Sequence, residues 1–324
     1  MDANLRVVFL DAATFGDASL QVFSSQWECS VYPFSSPLSV AERLRGQQVA
    51  VVNKVVLDRE ILSSRMAREL KLIAVAATGT DNVDLETARH RGIGVCNVPG
   101  YATESVAQFT IALVLEMATH AGGYAGLVRA GAWEKSPIFT LLDYPMVELA
   151  GKVLGVIGYG RIGQRVAAIA QAFGADILVC ARPGSVEPVP DGRIAFDELL
   201  TRADFVTLHC PLTPSTRNLI DARALALMKP DAFLINTARG ALVDSSALVD
   251  ALKKGRLAGA ALDVLTEEPP PPDHPHVRAG RELGSLLMTP HCAWATREAR
   301  QRLIAEVAEN LAAFLAGKRR NRVD

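Results

Sequence analysis

Residues 153–182 read VLGVIGYGRIGQRVAAIAQAFGADILVCAR, and the order of residue types in that stretch decides the fold. Val153–Ile157 is an apolar run of strand length. The turn Gly158-Tyr159-Gly160-Arg161-Ile162-Gly163 follows at once, and apolar residues then recur at 162, 166, 169, 170 and 173, the spacing of one helical face. Gly174, a residue that accepts positive φ, ends the helix, and Ile177–Cys180 supplies a second strand within the roughly 30 residues of a βαβ unit. Each glycine has a task here. Gly158 makes the tight turn, Gly160 lets a pyrophosphate approach the backbone, and Gly163 lets helix and strand pack closely. N–H groups at the helix start, around Arg161 and Ile162, attract the anion. The stretch predicts a dinucleotide site.

At 324 residues the chain exceeds what one compact core usually reaches, so two domains are expected. Hydrophobic residues make up 49% and charged residues 21%, the balance of a well-packed soluble protein, and a net charge of −1 argues against nucleic-acid or anionic-membrane partners. The basic cluster Lys318-Arg319-Arg320 with Arg322 reads as a solvated tail. No apolar run reaches the ~20 residues of a membrane span, and the start, MDANLRVVFLDAA, lacks the regions of a signal peptide. A cytoplasmic location is therefore expected. The five cysteines (29, 96, 180, 210 and 292) are odd in number and form no CxxC, which fits reduced thiols.

Upstream of the glycine turn, apolar runs at Val7–Leu10, Val49–Val52, Leu72–Ala76 and Ile93–Val98 alternate with helical patterns at Val40–Leu44, Ile61–Leu70 and Leu85–His90. That alternation predicts a parallel α/β sheet, and without a glycine fingerprint it holds something other than the dinucleotide. Turns at the carboxyl ends of its strands, Asn53-Lys54 and Thr78-Gly79-Thr80-Asp81-Asn82, face the ligand crevice of such a sheet. N–H groups at Thr78–Thr80 suit a small carboxylate, the alternative being an ordinary loop. A helix over roughly Ser105–Ala121 is apolar nearly all round and should be buried. Residues 122–150 carry Tyr124, Trp133, Phe139 and Tyr144 with little regular pattern, as an arm against a partner subunit would. Downstream, Phe205–His209, Ala232–Asn236, Ala258–Val264 and Leu286–Thr289 read as strands, with helical segments at Asp197–Leu200 and at Asp244–Lys254, the latter capped by Asp244 or Ser245. The run Glu267-Glu268-Pro269-Pro270-Pro271-Pro272 must be loop, and Arg297–Leu315 reads as a closing helix.

Three polar residues stand just past apolar strands: Arg239 after AFLINTA, Glu268 after ALDVLTE and His291 after LLMTP. Loops at that end of a doubly wound sheet converge on the crevice where a dinucleotide lies. Hydride transfer to a 2-oxo acid needs a cation to clamp the carboxylate and polarise the carbonyl, which the guanidinium of Arg239 can do. It also needs an acid for the developing alkoxide. His291 can serve near neutral pH, with Glu268 beside it to orient the ring and stabilise its cation. His274-Pro275-His276 lies in a proline-rich loop without a nearby cysteine or carboxylate set, so no metal site is expected. His209, ending a strand in HCPLTPSTR, suits a place flanking the adenosine rather than catalysis.

The motifs GYGRIG, HCPLT, INTARGALVD, ALDVLTEEPP and TPHCAW resemble those of the D-isomer-specific 2-hydroxyacid dehydrogenases, and the similarity runs over nearly the whole chain. Trp294, with NKV at 53–55, AATGTDNVDL at 76–85 and GYATESVAQ at 100–108, is most similar to the glycerate dehydrogenase (hydroxypyruvate reductase) branch of that family. The resemblance implies a flavodoxin-like substrate domain of residues 1–101 and 292–324, and a Rossmann cofactor domain of residues 102–291 inserted into it. It also implies a homodimer whose arm lies at about 122–150. Arg239, Glu268 and His291 are implied as the catalytic set, and Asn53, Thr78, Gly79 and Thr80 as substrate residues. For the cofactor the implied residues are Gly158, Gly160, Arg161, Ile162, Arg182, His209, Pro211, Thr237, Ala238 and Asp263, the last near the nicotinamide carboxamide. The implied reaction exchanges a hydride between NAD(P)H and a small D-2-hydroxy acid or its oxo acid, hydroxypyruvate or glyoxylate above all. Glu268 is not glutamine, so the formate dehydrogenase variant of the fold does not fit. Two alternatives stand beside this reading. A phosphoglycerate dehydrogenase would be expected to carry an appended regulatory domain and an arginine near 53–55 or 78–82; a dinucleotide-sensing regulator would need a docking segment and no catalytic three.

One departure concerns the cofactor. The acid that would accept the ribose 2′-OH belongs at the end of the second strand, where this chain has Ala181-Arg182, while Asp176 precedes that strand. A neutral residue followed by an arginine suits a 2′-phosphate, so NADP(H) is expected, with NAD(H) possible. Ala181→Asp should move preference toward NADH, and Arg182→Ala should weaken NADPH while barely touching NADH, as read from KM for each cofactor. Equal weakening of both by Arg182→Ala would remove the 2′-phosphate role.

Overall fold

A strand buried along its whole length needs cover on both faces, which is the condition of a parallel sheet between helices. Val49–Val52 and Leu72–Val75 meet that condition residue by residue. In the computed structural model, which describes residues 5–182 and 189–324, the chain divides into two compact units: Met1–Ala102 with Ala295–Asp324, and Thr103–Trp294.

The first unit holds β1 (Arg6–Phe9), β2 (Glu28–Val31), β3 (Val49–Val52), β4 (Leu72–Val75) and β5 (Gly94–Cys96), ordered β2-β1-β3-β4-β5 with every pair parallel. Phe9 packs edge-on against Phe15 and Phe23, at 6.3 and 4.9 Å between ring centroids. The closing helix, Arg297–Leu315, packs against β4 within this unit, and the Thr296 hydroxyl caps it by accepting from Ala299 N–H.

The second unit holds β6 (Val153–Ile157), β7 (Asp176–Val179), β8 (Phe205–Leu208), β9 (Phe233–Asn236), β10 (Gly259–Leu262) and β11 (Leu286–Met288), ordered β11-β10-β9-β8-β6-β7 and again all parallel. The chain leaves β6 toward β7 on one side and returns to β8 on the other, so the strand order switches at β6, directly below Gly158. Helix Thr103–Thr119 buries Ala107, Ile111 and Val114 in one core with Leu154, Val156 and Ile235. Both sheets are doubly wound, the fold class that the sequence predicts.

Several local expectations change. The apolar helix ends at Thr119, His120 takes a positive φ of 51°, and a second helix, Ala121–Arg129, opens the segment expected to lack pattern. Ile61–Leu70 is broken into helix Arg59–Ser63 and a short 3-10 turn. β2 gives no apolar signal because its edge position leaves the residues of Glu28–Val31 half-buried or exposed. The basic tail is not solvated throughout: Arg322 pairs with Asp324 at 2.6 Å and Arg320 with Glu306 at 2.8 Å. Val323 N–H donates to Val95 O and Asn97 N–H to Asn321 O, so the tail lines the open edge of β5. No single helix among the described residues is long and apolar enough to cross a membrane.

A Cβ at Gly163 would lie 2.1 Å from the carbonyl oxygen of Gly158. Gly163→Ala must therefore push the helix off β6 and should cost about 1–3 kcal/mol, the usual scale for overpacking. Thermal unfolding reads this as a Tm lower by several degrees; an unchanged Tm would show slack at this contact.

Candidate active site

The three glycines of the turn differ in what surrounds them. Gly158 has φ 96°, and a Cβ there would meet Cys210 N at 2.3 Å, while Gly163 is closed by Gly158 itself. At Gly160 φ is −76° and nothing lies within 4 Å of a Cβ. Neither its own conformation nor a neighbour requires glycine at 160. The space it leaves open lies at the start of helix Arg161–Ala172, which has no side-chain cap and no acidic residue in its first turn. Uncapped N–H groups under an open cradle fit the pyrophosphate of a dinucleotide.

Residues around this turn fall into two groups. Arg182 is exposed and follows the buried Ala181, and residues 183–188 lie outside the described part. Arg193 reaches the end of the same strand, β7: its guanidinium sits 4.7 Å over the Tyr159 ring and donates to Cys180 O at 3.5 Å. Nothing local in the sequence marks Arg193. It arrives through the isolated bridge of Cys180 with Ile194, a pairing that periodicity does not report. His209 N–H donates to Ile157 O at 2.7 Å, and the Nε2 of His209 is shut from solvent with no partner among the described residues.

The other predicted cofactor residues are held by their own neighbours. Pro211 O accepts from Thr216 Oγ1 at 2.8 Å, the Thr237 and Thr110 hydroxyls share a hydrogen bond of 2.8 Å, and Ala238 N–H donates to Asn236 Oδ1 at 3.0 Å. Asp263 is 1% exposed. Its Oδ1 accepts from Thr289 Oγ1 at 2.6 Å and Cys292 N–H at 2.9 Å, and its Oδ2 from Ala293 N–H at 2.9 Å. Both oxygens thus fasten the loop that carries His291.

That loop delivers the histidine to the glutamate. His291 Nδ1 lies 2.5 Å from Glu268 Oε2, and Glu268 Oε1 accepts from Leu265 N–H at 2.8 Å. His291 N–H donates to Asp263 O at 2.8 Å, and the residue has φ 52°. The Arg239 turn runs against the loop that carries Glu268: a Cβ at Gly240 would lie 2.0 Å from the Leu265 carbonyl carbon, so only glycine allows this approach. Asn236 Nδ2 holds Arg239 O at 2.8 Å, and Arg239 Nη1 donates to Ala238 O at 2.9 Å. A guanidinium, a carboxylate and an imidazole are thus mounted on adjoining turns past β9, β10 and β11.

Cys292 stands next to His291 and its thiol is held in the protonated direction. Burial first, and the Asp263 carboxylate second, push its thiol pKa up. No group of three or more potential metal ligands occurs among the described residues. His274 Nε2 meets Thr266 Oγ1 at 3.0 Å, its Nδ1 accepts from His276 N–H at 3.2 Å as the cap of helix Pro275–Glu282, and His276 is buried.

In the first unit the four predicted substrate residues sit on two turns. Asn53, 4% exposed, follows β3, and Thr78, Gly79 and Thr80 follow β4 and Ala77. Thr78 Oγ1 donates to Val98 O at 3.0 Å and Asn97 Nδ2 to Thr78 O at 2.7 Å. The N–H groups of Thr78, Gly79 and Thr80 meet no acceptor among the described residues.

Comparison with known proteins bears on the same residues. The family model described as "D-isomer specific 2-hydroxyacid dehydrogenase, NAD binding domain" matches residues 111–293. The glycerate dehydrogenase of Methylorubrum extorquens is 42% identical, with 98% of this chain and 99% of that one aligned. The hydroxypyruvate reductase of Blautia hydrogenotrophica is 37% identical, over 97% of this chain and 98% of that one. Among solved structures, an acyclic imino acid reductase in complex with NADPH and D-Arg superposes with a TM-score of 0.85 at 28% identity, covering 99% of this chain and 100% of that one.

Burial lowers the pKa of both His209 and His276 to about 4, with the neighbouring His274 adding to the effect at His276. Unfolded, each would titrate near ~6.5. The unfolded chain therefore binds more protons between these values, so stability is fully present above about pH 6.5 and falls with pH toward 4, by about 1.4 kcal/mol per pH unit per histidine. Urea unfolding of wild type and His276→Gln between pH 7 and 4.5 should show a shallower acid loss in the variant; equal slopes would clear His276.

Proposed function

Since the chain belongs to the D-isomer-specific 2-hydroxyacid dehydrogenase family, whose members bind a nicotinamide dinucleotide, we propose that it reduces hydroxypyruvate or glyoxylate to D-glycerate or glycolate with NADPH. The observation that carries this reading is the His291–Glu268 contact of 2.5 Å beside the Arg239 turn. The names of the relatives, glycerate dehydrogenase and hydroxypyruvate reductase, support the substrate.

When bound, the dinucleotide supplies two electrons as a hydride to the carbonyl carbon. Arg239 offers two parallel donors, one to the substrate carboxylate and one to the reacting oxygen, and so stabilises the charge that gathers on that oxygen. Glu268 accepts a hydrogen bond from Nδ1–H of the protonated His291 and so holds the ring, and Nε2–H is the proton that converts the alkoxide to the hydroxyl, leaving a neutral imidazole. Proton transfer of this kind contributes roughly 10²–10⁴-fold. In the oxidative direction His291 takes that proton back. The turns at Asn53 and Thr78–Thr80 hold the substrate in this reading, and the N–H groups of Thr78–Thr80, which meet no acceptor among the described residues, suit its carboxylate.

The cofactor half rests on Gly158, Gly160, Arg161, Ile162, His209, Pro211, Thr237, Ala238 and Asp263. NADPH over NADH rests on Ala181 with Arg182, to which Arg193 adds a second guanidinium. The aromatic and aliphatic residues exposed along 133–146, Phe139 at 90% and Leu142 at 72% among them, support a homodimer closed by this arm. A cytoplasmic location goes with the five free cysteines.

The test is a panel of initial rates on hydroxypyruvate, glyoxylate, pyruvate and 3-phosphohydroxypyruvate, each with NADH and NADPH. Highest kcat/KM on hydroxypyruvate or glyoxylate with NADPH is expected; highest kcat/KM on 3-phosphohydroxypyruvate would overturn the substrate. Arg239→Lys keeps the charge but loses the fork, and should lower kcat and raise KM for the oxo acid, each by tenfold or more, at near-normal cofactor affinity. Collapse of cofactor binding in that variant would make Arg239 a phosphate ligand instead.

A further inference from the structure

Asp11 stands two residues past β1 and is 6% exposed. Its carboxylate is taken up by a single turn of the chain. Asn53 N–H lies 2.9 Å from Oδ1 and 3.1 Å from Oδ2, Lys54 N–H 2.6 Å from Oδ2, and Val55 N–H 3.0 Å from Oδ2. Successive N–H groups converging on one point make an anion site, and here the anion is the protein's own. The carbonyl side of the turn is gripped too. Asn82 Nδ2 donates to Val55 O at 2.8 Å and reaches Asn53 O at 3.5 Å, while Leu57 N–H donates to Asn82 O at 2.8 Å. Asn82 itself lies two residues beyond Thr80.

We infer that Asp11 is a positioning residue of the oxo-acid site: its carboxylate fills the anion turn at Asn53–Val55 and, with Asn82, locks that turn to the one at Thr78–Thr80, so that of the two turns only the latter offers N–H groups to the substrate carboxylate. This rests on the proposed function. The two turns offer the same kind of donor, and a small carboxylate could enter either. Asp11 removes the choice, because charge-assisted bonds from three N–H groups leave none for a ligand. It also removes a conformational cost. A turn ordered in only a fraction of molecules binds with affinity reduced by that fraction, and a substrate once bound reacts as before. Loss of the clamp therefore appears in KM rather than in kcat.

Asp11→Asn is the direct probe, since it keeps the shape but replaces one acceptor oxygen by an amide that faces N–H groups. KM for hydroxypyruvate should rise about tenfold or more, with kcat changed less than about threefold and the Kd for NADPH as in wild type. Asn82→Ala, which releases the carbonyl side, should move KM in the same direction. A lower Tm with unchanged KM would make Asp11 merely structural and overturn the inference, as would parallel loss of kcat and cofactor affinity. Should Asp11→Asn not fold, Asp11→Glu keeps the charge and displaces it by one methylene, and the same KM rise is required. Asn53→Ala separates the two levels. If it raises KM while Asp11→Asn does not, the positioning role fails and the substrate turn stands; if Asn53→Ala leaves KM at wild type, the turn is not a substrate turn and the inference falls with it.

Discussion

Parallel strands buried on both faces, such as Val49–Val52 in the first unit and Phe205–Leu208 in the second, leave a sheet only its ends for chemistry, because helices cover the faces and the ladder uses the backbone. Every group in the proposed site obeys that constraint. Arg239, Glu268 and His291 lie past β9, β10 and β11, the glycine turn lies past β6, and Asn53 and Thr78 lie past β3 and β4. The amino ends of the same strands carry structural pairs instead. Asp204, just before β8, accepts from Val153 N–H at 2.7 Å and from Lys229 Nζ at 2.8 Å.

Chemistry at strand ends must be carried on loops, and loops are the mobile part of a fold. Both units meet this problem in the same way, with a buried aspartate just past one strand that holds the loop of its neighbour. Asp11 past β1 binds the N–H groups after β3, and Asp263 past β10 binds the hydroxyl and N–H groups after β11. Each aspartate's strand pairs directly with the strand whose loop it holds. A buried carboxylate without partners would cost several kcal/mol; three or more charge-assisted bonds offset that cost and fix the loop at the same time.

How much of this was legible in the sequence depended on whether the signal was local. The turn at 158–163 could be read because strand, glycines and helix are contiguous, and the acid cap at Asp244 because it immediately precedes its helix, where its side chain accepts from Ser246 and Ala247 N–H. Arg239, Glu268 and His291 could be read as polar residues ending apolar runs, and the structure brings His291 and Glu268 together across 23 residues. Arg193, Asp11 and the C-terminal tail could not. Their partners lie 13, 42 and 229 residues away, through Cys180, Asn53 and the Val95–Asp324 bond, and no periodicity encodes such pairings. Asp263 was visible as an acid inside ALDVL, but that its oxygens hold the loop of His291 was not, since Thr289 and Ala293 lie 26 and 30 residues away.

The backbone of His291 shows what that anchoring does. A non-glycine residue at φ 52° sits in the left-handed region, at a cost of order 1 kcal/mol, and relaxes unless its surroundings hold it. Here they hold it from three directions: its N–H is bonded to Asp263 O at 2.8 Å and Thr289 O at 3.0 Å, its ring to Glu268, and the next two N–H groups to the Asp263 carboxylate. Main chain and ring are thus fixed before any substrate arrives. An acid that must meet an alkoxide oxygen within a hydrogen-bond length gains from being held so, since the ordering is completed in folding and does not recur at each turnover. The same argument explains why Glu268 is itself tethered, through Leu265 N–H, to the turn that Gly240 brings against the Arg239 backbone. Displacing any one of these loops would disturb the other two, so the positions of His291, Glu268 and the Arg239 turn depend on one another.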